Sequence, residues 1–240
     1  MPRILVTIAT YNEMENLPTL VEQIFAQAPD VEILVIDDNS PDGTGRWCDE
    51  KHAQDPRVHC LHRAGKLGLG TATIAGMKYA IEQGYDQMLN MDADFSHHPR
   101  FLPAILERMV GEPPVDVVIG SRYVAGGGVE GWPLKRHVMS KGVNLYARTL
   151  LGLRSKDCSG AYRLYRVELL KKLDFDTIVS RGYSFQEEIL WRLKLLGARF
   201  AEVPIVFADR ERGVSKINGN EAGAALRILF RLGVKNWLKV

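Results

Sequence analysis

The sequence predicts an α/β protein with a mostly parallel sheet covered by helices on both faces. Three observations carry this reading. Short, near-continuous apolar runs rich in Val and Ile recur along the first half. Stretches with helical periodicity alternate with most of them, and Gly, Pro, Asn and Asp gather at the junctions. With 240 residues, 46% of them hydrophobic, the chain can bury a core that needs no covalent staples.

Residues 4–9 read as the first buried strand and 17–28 as a helix, with Asn12 or Asn16 as cap and Pro18 in its first turn. A second strand, 31–36, ends in the turn-forming run Asp37-Asp38-Asn39-Ser40-Pro41-Asp42-Gly43, and Thr44 is the expected N-cap of the next helix. Residues 58–61 form a short strand, 71–83 a helix, 88–91 a strand, 101–110 a helix and 115–119 another β-branched strand.

The second half is less regular. Gly126-Gly127-Gly128 opens an expected flexible loop that runs to Arg136. A helix over 137–151, a strand over 161–165, a helix over 185–195 and a strand over 200–206 come next. The last helix, 221–238, is amphipathic and basic, carrying Arg227, Arg231 and Lys235, with Lys239 just beyond it. No repeat or linker interrupts the chain, so one domain is expected: residues 1–220, with 221–240 as a terminal helix belonging to it.

Charge is nearly balanced, 31 Lys+Arg against 29 Asp+Glu, which excludes a generally basic nucleic-acid binder and leaves any cationic site local. The three cysteines, Cys48, Cys60 and Cys158, are widely spaced without a C-x-x-C pair. They predict neither a disulfide framework nor a cysteine zinc site, and they fit a reduced, cytosolic compartment. The first residues lack the pattern of a secretory leader, and no run of about 18 apolar residues predicts a membrane span.

In open parallel sheets, ligands bind outside the carboxyl ends of the strands. The polar residues leaving those ends are Tyr11-Asn12-Glu13, Asp37-Asp38, Asp92-Ala93-Asp94 and Ser121-Arg122. In Asp92-Ala93-Asp94 the two carboxylates lie at i and i+2, so on extended backbone they converge on one site. Two hard oxygen donors without His or Cys suit Mg²⁺ or Mn²⁺; the plainer alternative is a solvated turn. Asp37-Asp38 reads as a second metal site, a nucleoside site or a turn. Tyr11 and Glu13 read either as the lead-in to a helix or as contacts to a base. His97-His98, before Pro99, reads as structural. A dinucleotide-binding fingerprint is absent: Gly43-x-Gly45 and Gly68-x-Gly70 lack the third small residue. A phosphohydrolase with a nucleophilic aspartate would leave Asp37-Asp38 and the downstream basic loops unused.

Taken in order, these motifs resemble those of the polyprenyl-phosphate (dolichol-phosphate) mannose synthases, inverting family 2 glycosyltransferases with the GT-A (Rossmann-like) fold. The resemblance runs nearly end to end. It rests on Tyr11-Asn12-Glu13, the run from Asp37 to Thr44, Lys66-Leu67-Gly68-Leu69-Gly70-Thr71, Met91-Asp92-Ala93-Asp94-Phe95-Ser96-His97-His98-Pro99, Gly120-Ser121-Arg122-Tyr123, Gly131-Trp132, Asp209-Arg210 and Gly213-x-Ser215-Lys216. Ala9 stands where the family usually has Pro.

The resemblance implies transfer of mannose, with inversion, from GDP-mannose to a dolichyl or polyprenyl monophosphate in a membrane. Ala9, Tyr11, Glu13, Ile36 and Asp38 would surround guanosine. Asp92, Ala93 and Asp94 would hold the Mg²⁺ or Mn²⁺ and the donor, and Arg122, Arg210 and Lys216 would meet phosphates. Arg122 and Arg136, which border and close the Gly-rich loop, are the expected acceptor-phosphate ligands. No general base is assigned to Glu187 or Glu188. Gln186-Glu187-Glu188-Ile189-Leu190 departs from the Q-x-x-R-W motif of processive relatives, so chain polymerisation is not expected. The last helix and Trp132 are the expected contacts with the cytosolic face of a membrane, where a membrane-anchored partner subunit is compatible with the reading. UDP-glucose as donor, and a nucleotide-sugar-binding subunit without turnover, are the alternatives.

Overall fold

The computed structural model describes residues 2–180, 182, 184–209 and 219–238. Strands β1 (Ile4–Thr10), β2 (Glu32–Asp37), β3 (Val58–His62), β4 (Gln87–Asp92) and β5 (Val117–Ser121) alternate with helices α1 (Leu17–Gln27), α2 (Thr44–Gln54), α3 (Leu69–Glu82) and α4 (Leu102–Val110). There come next β6 (Gly128–Glu130), α5 (Leu134–Leu151), β7 (Arg163–Arg166), α6 (Val167–Leu170), α7 (Phe185–Leu195), β8 (Phe200–Pro204), β9 (Val206–Ala208) and α8 (Gly219–Leu238). Seven strands form one sheet in the order β3-β2-β1-β4-β7-β5-β8, parallel except for β7.

The period of two along each strand divides the core between the two faces. Val6, Ile8, Ile33, Val35, Leu89 and Met91 meet Leu20 and Ile24 of α1, Cys48 of α2 and Ile105 of α4. Leu5, Leu34, Ile36, Met88, Val117 and Ile119 face α3, α5, α7 and α8, whose Ala80, Leu151, Leu190 and Leu229 are buried against them. Both faces being covered explains why the strands read as near-continuous apolar runs.

Four local expectations are corrected. Thr44 is the first residue of α2 rather than its cap. Gly43 holds the cap position in the left-handed region, and the Asp42 carboxylate accepts from Thr44 N at 3.0 Å, the work a cap side chain would do. The expected loop from Gly126 to Arg136 contains β6, which pairs in parallel with β9, and already enters α5 at Leu134. The strand expected over 200–206 breaks at Ile205 into β8 in the main sheet and β9 in the small one. The strand expected over 161–165 becomes β7, running antiparallel between β4 and β5.

The chain passes from β1 to β2 on one side and reaches β4 on the other, so the topological switch point lies between β1 and β4. The register sets Ile36, Ala9 and Asp92 side by side across β2, β1 and β4 at that point.

Candidate active site

At the switch point Asp92 ends β4, Ala93 is buried, and Asp94 is half-exposed just beyond. The turn that carries them is held by the protein itself. His97, 2% exposed, accepts from Asp92 N through Nδ1 at 3.0 Å, and its ring stacks on Tyr162 at 5.0 Å. Burial lowers the His97 pKa, so the ring is neutral with its proton on Nε2. That accounts for the histidine pair: His97 shapes the carboxylate turn, and His98 caps the following 3₁₀ turn by accepting from Arg100 N. Ser96 N donates to Asp94 Oδ1 at 3.1 Å, and the buried Ser96 hydroxyl beside it has no protein partner among the described residues. An all-oxygen donor set, half-exposed at a strand end beside an unsatisfied hydroxyl, fits a hard divalent cation.

On the β2 side the two aspartates separate in role. Asp37, 2% exposed, accepts from Thr10 Oγ1 at 3.1 Å and Ser40 N at 3.0 Å, which makes it a turn residue. Asp38 lies 3.1 Å from Arg63 Nη1 in an ion pair too oblique to be a hydrogen bond. Burial raises its pKa, against the pull of Arg63 and of the Leu67 backbone N–H. Tyr11, 41% exposed, stands with Lys66 Nζ 4.7 Å above its ring. The fold thus brings Tyr11, Asp38, Arg63 and Lys66 from three separate loops into one cluster at the carboxyl ends of β1 and β2, where Ala9 and Ile36 are register partners. Arg63 carried no sequence signal, since a lone basic residue after a strand has none.

Glu13 takes the helix-lead role: its backbone carbonyl accepts from Leu17 N at 2.8 Å and its carboxylate from Asn16 Nδ2 at 2.9 Å. The run from Asn39 to Thr44 braces this same loop. Asn12 N donates to Ser40 Oγ, Glu13 N to Thr44 Oγ1 and Met14 N to Asp42 Oδ2. Ser40, Asp42 and Thr44 therefore present Tyr11 without needing to touch a ligand.

Arg122, just beyond β5, is 8% exposed. Its Nε and Nη2 fork onto Asp157 at 2.7 Å each, and Nη2 also reaches Ser159 Oγ at 2.9 Å. Asp157 is fully buried. Burial opposes its charge, but Arg122 and the Gly160 N–H outweigh that and lower its pKa. Asn144 of α5 completes the clamp, donating to Ser159 Oγ and accepting from Cys158 N. The spacing of Asp157 from Arg122 in the chain hid this partner. Gly127 folds back over the pair; a Cβ there would stand 2.5 Å from Ser121 O, so only glycine fits.

A cavity of about 470 Å³ opens beside Arg122, between the Gly127–Val129 segment and α5. Its wall carries His137, Lys141, Arg148 and Lys156, which makes it strongly cationic. Arg136 does not line it. Its guanidinium stacks 4.1 Å over Trp132 and pairs with Asp209 at 2.7 Å, so Arg122 and Arg136 approach the same indole. Trp132, half-exposed, packs edge-on against His137 and Phe207. Arg210 and Lys216 lie outside the described residues.

The outer surface of α8 exposes Leu226, Phe230, Val234, Trp237 and Leu238, together with Arg227, Arg231 and Lys235. Leu229 and Leu232 on its inner face are core, so the helix is both packed and amphipathic. The adjoining α5 adds exposed Leu134, Val138, Met139 and Leu145, a contribution its weak periodicity concealed. Among the described residues, no helix is long and apolar enough to cross a membrane.

Behind the Arg122–Asp157 pair lies Glu187, fully buried, with Oε2 lacking a hydrogen bond among the described residues. Desolvation pushes its pKa up to about 7 from an ordinary 4.5. The native state therefore keeps a proton that the unfolded chain loses, and stability falls as pH rises from about 4.5 to about 7, by up to roughly 3 kcal/mol. Glu187→Gln removes that slope. Urea unfolding at pH 5 and pH 8 should show the variant gaining on the native protein as pH rises; parallel pH profiles would refute it.

An α/β sheet whose switch point gathers a carboxylate pair, an aromatic–acidic cluster and a cationic cavity is the framework of a glycosyltransferase. Residues 5–174 match Glycosyl transferase family 2, and the chain belongs to that family. It is 46% identical over 232 residues to an undecaprenyl-phosphate mannosyltransferase of Micrococcus luteus, covering 97% of this chain and 94% of that one. It is 45% identical over 237 residues to a polyprenol monophosphomannose synthase of Mycolicibacterium smegmatis, covering 98% and 89%. Its fold is similar to that of glucosyl-3-phosphoglycerate synthase of Mycobacterium tuberculosis, crystallised with Mn²⁺, UDP and phosphoglyceric acid. There the TM-score is 0.65 and the identity 20%, over 98% of this chain and 78% of that chain.

Proposed function

We propose that this chain transfers mannose, with inversion, from GDP-mannose to the phosphate of a polyprenyl monophosphate at a cytosolic membrane face. The observation that carries the reading is the flanking of the Asp92/Asp94 pair by two unlike sites: the Tyr11–Asp38–Lys66 cluster and the cationic cavity beside Arg122. The names of the two full-length relatives point to the same acceptor and sugar.

In this reading Tyr11 and Lys66 receive the face of the nucleobase, while Asp38 accepts from its N–H groups, with Ala9, Glu13 and Ile36 around them. Asp92 and Asp94 hold Mg²⁺ or Mn²⁺, and when bound the ion supplies positive charge against the departing diphosphate. Arg122 adds a fixed cation that Asp157 orients in advance. The acceptor phosphate meets Arg122 and Arg136, and the cavity's Lys141, Arg148 and Lys156 attract it. A phosphate monoester with a second pKa near ~6 is already an anionic nucleophile at neutral pH, so Glu187 is not needed as a base. Arg210 and Lys216 are proposed donor-phosphate contacts. The exposed apolar and basic faces of α5 and α8 support docking on an anionic bilayer that holds the lipid acceptor.

The test is transfer of radiolabelled sugar from GDP-mannose or UDP-glucose to a short polyprenyl phosphate, with and without EDTA. Labelled lipid is expected from GDP-mannose alone and only without chelator. Transfer from UDP-glucose at equal rate would overturn the donor assignment, and no transfer from either donor would overturn the activity.

A further inference from the structure

A second cluster of ligating side chains lies at the sheet edge, away from Asp92 and Asp94. Cys60 and His62 belong to β3, and Asp49 to the neighbouring α2. His62 Nε2 lies 2.9 Å from Asp49 Oδ1, and His62 Nδ1 lies 3.9 Å from Cys60 Sγ. One ligand atom from each of the three falls within 4.8 Å of the others. β3 stands three strands from β4, roughly 14 Å across the sheet at ordinary strand spacing, so this cluster and the Asp92/Asp94 pair cannot share one ion.

The three side chains are close enough for one ion to be reached by one atom of each. Alternation along β3 puts Cys60 and His62 on one face two residues apart, and α2 packs across that face. The His62 ring is seated against the first turn of α2, where a Cβ on Gly45 would stand 3.1 Å from its Cε1, so glycine leaves the ring its place. Asp49 and His62 are exposed and Cys60 half-buried, so a cation can reach all three.

We propose that Cys60, His62 and Asp49 form a binding site for a borderline-soft divalent cation of the zinc class, with a fourth position open to solvent. A thiolate sulfur, an imidazole nitrogen and a carboxylate oxygen are the ligands that select zinc over magnesium, whereas the all-oxygen pair at the switch point selects the reverse. Binding would tie α2 to the end of β3, one residue before Arg63 and its ion pair with Asp38.

The probe is Co²⁺ added to the full chain after reduction and removal of bound metals. A near-ultraviolet thiolate-to-cobalt charge-transfer band with tetrahedral visible bands is expected, and added Zn²⁺ should bleach it. Cys60→Ser should abolish the charge-transfer band. Asp49→Asn, on the exposed face of α2, should weaken cobalt binding about tenfold or more, by analogy with loss of a ligand-supporting group. Asp94→Asn should leave the band intact, which separates this site from the transferase centre. Absence of the band in reduced native protein, or its persistence in Cys60→Ser, overturns the proposal. So does a Cys48–Cys60 disulfide whose reduced form still takes no cobalt.

Discussion

Asp94→Asn should lower kcat for sugar transfer by about 10²–10³ while leaving the fold intact, the magnitude expected on loss of one preorganised group stabilising charge in a transition state. The substitution is selective because Asp94 Oδ1 accepts from Ser96 N at 3.1 Å, and an asparagine oxygen accepts equally well. What it removes is one unit of negative charge from the pair that would hold the cation. Raising Mn²⁺ should recover part of the activity if weakened metal binding is the cause. Steady-state kinetics against metal concentration measure both effects. A kcat within threefold of the native value, with unchanged metal dependence, would remove Asp94 from the catalytic scheme.

Asp157→Ala should be the most destabilising single substitution near the site. It strips the partner from Arg122, whose Nε and Nη2 both end on Asp157, and it abandons the Gly160 N–H that donates to the same carboxylate at 3.0 Å. Removing one member of a buried ion pair leaves an uncompensated charge and costs about 3–5 kcal/mol. For a chain of this length that corresponds to a fall in Tm of roughly 10 °C. The converse substitution separates stability from function. Arg122→Met combined with Asp157→Leu removes both charges and should restore most of the lost Tm, since apolar replacement of a buried pair is often neutral. The double variant should stay inactive, because the cation beside the carboxylate pair is gone. Differential scanning calorimetry together with a transfer assay checks both halves. Recovery of activity along with Tm would show that Arg122 is structural only.

Much of the site is legible without the fold, and the reason is particular to parallel sheets. A strand buried on both faces announces itself as an apolar run, and its carboxyl end is marked by the first polar residues after it. Asp92-Ala93-Asp94 and Tyr11-Asn12-Glu13 stand out in this way, and the structure places both at the switch-point end of the sheet. Within the Asp37-Asp38 pair, sequence cannot divide the roles. Only packing turns Asp37 into the loop and leaves Asp38 beside Arg63. Asp157 is invisible for a related reason. It lies in an irregular stretch with no periodicity, and its importance comes wholly from the residue it meets 35 positions away.

Helix pattern misleads in two places for opposite reasons. In α8 the apolar residues look like a single surface, yet Leu229 and Leu232 are enclosed by the core while Phe230 and Trp237 stay exposed. In α5 the exposed Leu134 and Val138 are scattered among Lys135, Arg136 and His137, so no stripe is apparent. Chain spacing conceals the cysteines in a similar way. Cys48 and Cys60 are twelve positions apart in the chain, but the α2–β3 turn folds them together.

From its residues alone this protein's class of fold, the order of most of its elements and the acidic residues at its strand ends could be read, because these depend on local periodicity and on the first polar residues after each apolar run. Tertiary structure decided which charges are neutralised, which helix faces remain open, and which distant thiol, imidazole and carboxylate become neighbours. Those are questions of long-range contact, and residues far apart in the chain acquire a shared environment only once the sheet has closed around its core.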